Sequence, residues 1–137
     1  MGMRLHALIS AVAMTLTTLT GCALGRGCTL IGAESGVSFD LVDAVPASTT
    51  TFEIHACVDD VCVDEPYRRD WVFVRLPGVS SERGATARVT LRSNSVVVFE
   101  ATTPVTLRKH QPNGPGCAPT VYQAQVKATA PATLVVV

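Results

Sequence analysis

Thr86–Ala101 reads TARVTLRSNSVVVFEA, and this stretch decides the fold class. Ala87, Val89 and Leu91 alternate with Thr86, Arg88, Thr90 and Arg92. A period of two sends one set to the core side of a strand and the other to its solvent side. β-branched side chains pack well on a pleated surface, which favours a strand further. Val96–Ala101 returns after Ser93-Asn94-Ser95. A three-residue loop there puts Val97 and Phe99 with Val89 and Leu91 in the core, and sets Glu100 opposite Arg88 as a cross-strand ion pair. A two-residue loop at Ser93-Asn94 would expose Phe99, so the longer loop is the expectation. Asn tolerates the left-handed conformation that such loops use.

The same alternation extends outward in both directions. Val37, Phe39 and Leu41 form the core face of a strand that Pro46 ends. Phe52, Ile54, Ala56 and Val58 form the core face of a strand within Thr50–Val58, and Glu53, His55 and Cys57 take its other face. Asp59-Asp60 fits a two-residue turn, with Val61–Asp64 returning. Asp70–Leu76 is a further strand with Trp71 placed in the core, and Pro77-Gly78 stops it. Pro104 interrupts before Val105–Arg108, where Val105 and Leu107 point inward. Val121–Thr129 puts Tyr122, Ala124, Val126 and Ala128 on one face, and Leu134–Val137 makes a last strand. No window shows helical periodicity and no internal repeat occurs. Roughly seven to nine short strands with turns between them predict an all-β fold, an antiparallel two-sheet sandwich.

The N-terminal residues follow a different rule. Arg4 and His6 precede an uncharged run of 13 residues, Ala7–Leu19, and then Thr20, Gly21 and Cys22. The run is shorter than the ~20 residues of a spanning helix. A basic start, a short apolar run and small residues at the cut describe a secretory signal. Leu19-Thr20-Gly21-Cys22 resembles a bacterial lipobox. That resemblance implies a diacylglyceryl group on the Cys22 thiol and cleavage just before it. Residues 1–21 are then a signal peptide, 22–34 a lipidated tether and 35–137 the β-domain. Anchoring through Cys22 would place the domain outside the cytoplasm, at the cell surface.

Eleven basic and 11 acidic residues balance in the whole chain, and loss of Arg4 with the leader leaves one net negative charge. A nucleic-acid partner would call for a basic stripe, so none is expected. Setting Cys22 aside leaves Cys28, Cys57, Cys62 and Cys117, an even number in an oxidising space, which reads as two disulfides. Cys57–Cys62 with Cys28–Cys117 is the preferred connectivity. Around a two-residue turn at Asp59-Asp60, Cys57 faces Cys62 in a non-hydrogen-bonded pair, where side chains lie closer. Cys57–Cys117 with Cys28–Cys62 is the competitor, because an immunoglobulin domain bridges distant strands beside a Trp. Pro115 stands two residues before Cys117, where that fold has a Tyr.

Phosphate-cradling glycine loops, zinc-protease helices and nucleophile elbows have no counterpart in the sequence. His55 and His110 read as solvated or packed histidines, since neither has a partner motif. A zinc site from His55, Cys57, Cys62 and either Cys117 or His110 is the minority reading, without a second matched cysteine pair. Asp59, Asp60, Asp64 and Glu65 read as a solvated hairpin tip lacking calcium-loop spacing. Arg68-Arg69 reads as solvated loop. Pro112, Asn113, Gly114 and Pro115 form the candidate binding loop, although joining two strands and holding Cys117 suffices to explain it. No cofactor and no metal are expected.

Taken with Ser35-Gly36-Val37, the Cys57…Cys62 pair and Gln111-Pro112-Asn113-Gly114-Pro115-Gly116-Cys117, the lipobox makes the chain resemble small secreted lipoproteins of actinobacteria. The resemblance implies an immunoglobulin-like or transthyretin-like sandwich of unassigned function. The functional expectation is a non-enzymatic, membrane-anchored module that binds a protein or other ligand of the envelope. A metal- or small-ligand carrier is the alternative, and a hydrolase ranks below both.

Overall fold

The computed structural model describes residues 27–45, 51–66 and 70–137. The signal segment, the lipobox with Cys22, the start of the tether, Pro46, Thr50 and Arg68-Arg69 lie outside them. Eight strands and no helix occur among the described residues: β1 (Gly36–Asp40), β2 (Glu53–Val58), β3 (Val61–Pro66), β4 (Trp71–Arg75), β5 (Arg83–Ser93), β6 (Val96–His110), β7 (Val121–Thr129) and β8 (Thr133–Val136). The all-β expectation holds, and the strands make a mixed sheet that is nearly closed into a barrel.

Hydrogen bonding runs in the order β3-β2-β5-β6-β7-β1-β4, with β8 on β7. All of these pairs are antiparallel except β1 with β7, which is parallel. The wholly antiparallel pairing expected from sequence is corrected there. Alternation within a strand specifies a face and carries no information on strand direction.

β6 joins the two halves of the path. Its residues up to Leu107 pair with β5, and Arg108–His110 pair with β7. Pro104 does not divide it into two strands, as the sequence suggested. Thr86 pairs with Pro104 in a stretch where β6 has β5 as its partner, so the other edge needs no proline N–H. β7 is shared in the same way. Its start pairs with β6 and its end, from Val126, pairs with β8.

Core positions follow the alternation. Val37, Phe39, Leu41, Ile54, Ala56, Val58, Val89, Leu91, Leu107 and Val126 are buried together. Trp71 departs from expectation, at 50% exposure, as does Thr90, expected outside and only 6% exposed. Val72 and Val74 take the inward positions of β4, so strand parity turns Trp71 outward. Gly36 opens β1 where it passes β4. A Cβ there would run into the Val74 carbonyl oxygen and the Phe73 ring.

The β5–β6 hairpin closes differently from its sequence reading. Ser93 pairs with Val96, so Asn94 and Ser95 are the turn, and their φ values are 49° and 66°. Positive φ at both central residues suits the twist of a two-residue hairpin. The register then shifts: Arg92 faces Val97 and Leu91 faces Phe99, leaving Val98 as an extra residue. Such a bulge reverses the parity of everything beyond it. Phe99 is thereby buried at 3% exposure, as expected, while Val97 stays 46% exposed, against expectation. Glu100 faces Thr90 instead of Arg88, which removes the expected ion pair.

Candidate functional site

The two-residue turn at Asp59-Asp60 fixes everything on the outer face of β2 and β3. Val58 faces Val61, so Cys57 faces Cys62 and His55 faces Asp64. Asp59 itself has a φ of 51°. Its carboxylate accepts the Thr86 backbone N–H at 2.8 Å and the Arg83 guanidinium at 2.8 Å, while its own N–H donates to the Thr86 carbonyl at 2.9 Å. The Arg83 bond, and then the Thr86 N–H, hold the Asp59 carboxyl below the usual aspartate range. The tip of the β2–β3 hairpin is thus fastened to β5.

Below the tip, charges and sulfur converge. His55 Nδ1 lies 2.6 Å from Asp64 Oδ1, and His55 Nε2 lies 3.2 Å from Cys57 Sγ. Arg88 pairs with Cys57 across β2 and β5, and its guanidinium lies 3.8 Å from the same sulfur. Cys57 is 1% exposed, whereas its partner Cys62 is exposed on β3, at the end of the strand order. Cys57 and Cys62 stand at disulfide distance, with Cα atoms 4.1 Å apart. Beyond His55 the face opens into a cavity of about 260 Å³, lined by Glu53, Asp64, Glu65, Pro66 and Arg92 among others.

His55 was expected to be solvated or packed and without a partner. The structure gives it both a carboxylate and a sulfur. The signal was present in the sequence: the count from Asp59-Asp60 that sets Cys57 against Cys62 also sets His55 against Asp64. Of the minority zinc set, His55, Cys57 and Cys62 do converge, with ligand atoms within 4.8 Å of one another. Cys117 is bonded elsewhere, and His110 lines a separate groove of about 500 Å³ with Arg108 and Phe73. With Cys57 and Cys62 joined, their sulfurs are not the thiolates a metal requires. The acidic cluster separates as well, since Asp59 turns to Arg83 and Asp64 to His55.

The second cysteine pair lies in another part of the molecule. Cys28 reaches Cys117 with Cα atoms 5.7 Å apart, so both pairs follow the preferred connectivity. Asn113, a member of the candidate binding loop, is 6% exposed. Its Oδ1 accepts from Thr29 Oγ1 at 2.6 Å and from the Ile31 N–H at 2.8 Å. Its Nδ2 donates to the carbonyls of Ile31 at 3.0 Å and Ala118 at 2.6 Å. Those bonds use the amide fully. Asn113 therefore clamps the segment before β1 and has no capacity left for a ligand. Gly114 and Gly116, with φ of 100° and 82°, supply the turns around it. Gln123 Nε2 donates to the Glu34 carbonyl at 2.8 Å, and the Tyr122 N–H donates to Ser35 Oγ at 3.0 Å. The segment before β1, although mostly exposed, is thus bonded to the rest of the chain at several points.

Among the described residues no helix is long and apolar enough to cross a membrane. No protein-family model matches the chain, and neither a similar curated protein nor a similar solved structure was found.

Proposed function

We propose that the chain is an extracytoplasmic lipoprotein, anchored by lipid on Cys22, whose β-domain serves as a non-catalytic binding or structural module of the cell envelope. The observation that carries this reading is the fastening of residues 28–35. Cys28 bonded to Cys117, and Thr29 and Ile31 held by Asn113, give the preceding chain one fixed point of departure from the domain. A module tethered to a membrane gains orientation from such a point, because only the residues before it remain to span the gap. Two cysteine pairs at disulfide distance suit an oxidising compartment. The partner is an envelope protein or another ligand of that layer.

For the sandwich type we propose the transthyretin-like form over the immunoglobulin-like one. Two four-strand groups, β4-β1-β7-β8 and β3-β2-β5-β6, support it. The immunoglobulin hallmark is a buried Trp against a disulfide between the two sheets. Trp71 is half exposed here, and one cysteine pair joins neighbouring strands while the other ties a loop to the tether.

Expression of the full-length chain and of Cys22→Ala in a bacterium with lipoprotein processing tests the anchor. The parent chain is expected in the membrane fraction and in the detergent phase on partitioning, with the variant released to the aqueous phase. Equal membrane retention of the variant would overturn lipid anchoring at Cys22.

A further inference from the structure

We infer that Cys57–Cys62 is an exchange-competent disulfide, opened by an external dithiol that attacks the exposed Cys62 sulfur and expels Cys57 between Arg88 and His55. The inference concerns a different face from the tether and does not depend on lipid anchoring.

Thiol–disulfide exchange needs access to one sulfur and a good leaving thiolate at the other. The hairpin divides these requirements between its two cysteines. Cys62 is exposed on β3, at the end of the strand order, so an incoming thiolate reaches it from solvent. Cys57 is 1% exposed and shielded from direct attack. Arg88, at 3.8 Å, places a permanent positive charge beside the Cys57 sulfur. His55 Nε2 faces that sulfur at 3.2 Å, and Asp64 at 2.6 Å holds the ring from its far side. A cation beside a thiolate stabilises it and speeds its departure.

One thiol of the dithiol loses its proton, and its sulfur bonds to Cys62 Sγ. The Cys57–Cys62 bond breaks, and its electron pair leaves on Cys57. The second thiol, also deprotonated, then attacks its own partner sulfur in the mixed disulfide and expels Cys62. The dithiol is oxidised to a disulfide, and its two protons end on Cys57 and Cys62, with His55 placed to relay the first.

Cys28–Cys117 supplies an internal control. It also joins an exposed cysteine to a buried one, but among the described residues no cationic side chain bonds to either sulfur. It closes a separation of 89 residues against 5 for the hairpin pair. The longer loop restrains the unfolded chain more, so that bond contributes more to folding stability.

The full-length chain, held in detergent, is treated with limiting dithiothreitol, quenched at intervals with iodoacetamide and peptide-mapped. Cys57 and Cys62 are expected to be alkylated at least about tenfold faster than Cys28 and Cys117. Arg88→Gln and His55→Asn are each expected to slow opening of the hairpin pair by about three- to tenfold, leaving the rate at Cys28–Cys117 unchanged. Arg88→Lys, which keeps the charge, should retain most of the parent rate. Opening of both pairs together, or of Cys28–Cys117 first, would overturn the inference. So would unaltered hairpin rates in both Arg88→Gln and His55→Asn. If a variant unfolds, the control pair accelerates with it, and the order of opening in the parent chain decides alone.

Discussion

The two cysteine pairs occupy regions built on opposite principles. Cys57 and Cys62 lie on adjacent strands that one tight turn already aligns, and a ladder of backbone bonds holds them in register without sulfur. Cys28 and Cys117 belong to irregular segments that no strand pairing brings together; the bond and the Asn113 clamp do that work. The hairpin therefore has geometry to spare at its disulfide, and charged side chains gather on that surface. The tether region spends its polar groups on holding itself in place. Local register leaves a face available for chemistry, whereas distant closure consumes the residues that achieve it.

Cutting each pair gives the largest expected contrast. Replacing Cys28 and Cys117 by Ser should cost about 3–5 kcal/mol, because the unfolded chain regains a long loop. Replacing Cys57 and Cys62 by Ser should cost about 2 kcal/mol, since the loop it frees is short. Denaturant unfolding of both double variants measures the difference. Equal losses would mean that the tether bond constrains the unfolded chain no more than the hairpin bond does.

Asn113→Ala probes the polar half of the tether attachment. The carbonyls of Ile31 and Ala118 would lose a donor each, and the Ile31 N–H an acceptor; at about 0.5–1.5 kcal/mol per bond, a loss of about 1–3 kcal/mol is expected. Combined with loss of Cys28–Cys117, the effect should be non-additive, because both devices hold one segment. Limited proteolysis should then cut within residues 27–34, a site the parent chain protects.

The smallest expected effect is at the hairpin tip. Asp59→Asn keeps a residue tolerant of positive φ and an oxygen for the Thr86 N–H, but it loses the charge that pairs with Arg83. An exposed pair of this kind contributes about 0.2–1 kcal/mol. The folded carboxyl titrates below its unfolded value, so its contribution is complete above the unfolded pKa of about 3.9. It fades as pH falls through the lowered folded value. The stability gap between the parent chain and Asp59→Asn should accordingly be present at neutral pH and shrink below about pH 4. A gap that persists unchanged in acid would assign the effect to the turn backbone.

Much of this was legible in the residues. Alternation located part of every strand and the buried faces of β1, β2 and, apart from Thr90, β5, although it broke β6 at Pro104; the Asp59-Asp60 turn set Cys57 against Cys62 by counting alone. The same count contained His55 opposite Asp64, which a search for known motifs passes over. Trp71 was misplaced because a large aromatic side chain suggests burial more strongly than strand parity does, and parity prevailed. At Val98 the misreading has a different source. Neither simple loop length accounts for it: Phe99 is buried by a tight turn plus a bulge, a combination that local pattern does not display.

By itself the sequence determined the period-two core and the pairing of Cys57 with Cys62 within one hairpin. These properties depend on neighbours along the chain, where spacing is fixed by covalent geometry. Only the tertiary structure decided that β1 runs parallel to β7, that β6 carries the path from one half to the other, and that Asn113 binds a segment some eighty residues before it. It also set Arg88 beside the Cys57 sulfur. Those outcomes depend on which distant strands share an edge, a choice made by packing of the whole core and invisible in the alternation of any one strand.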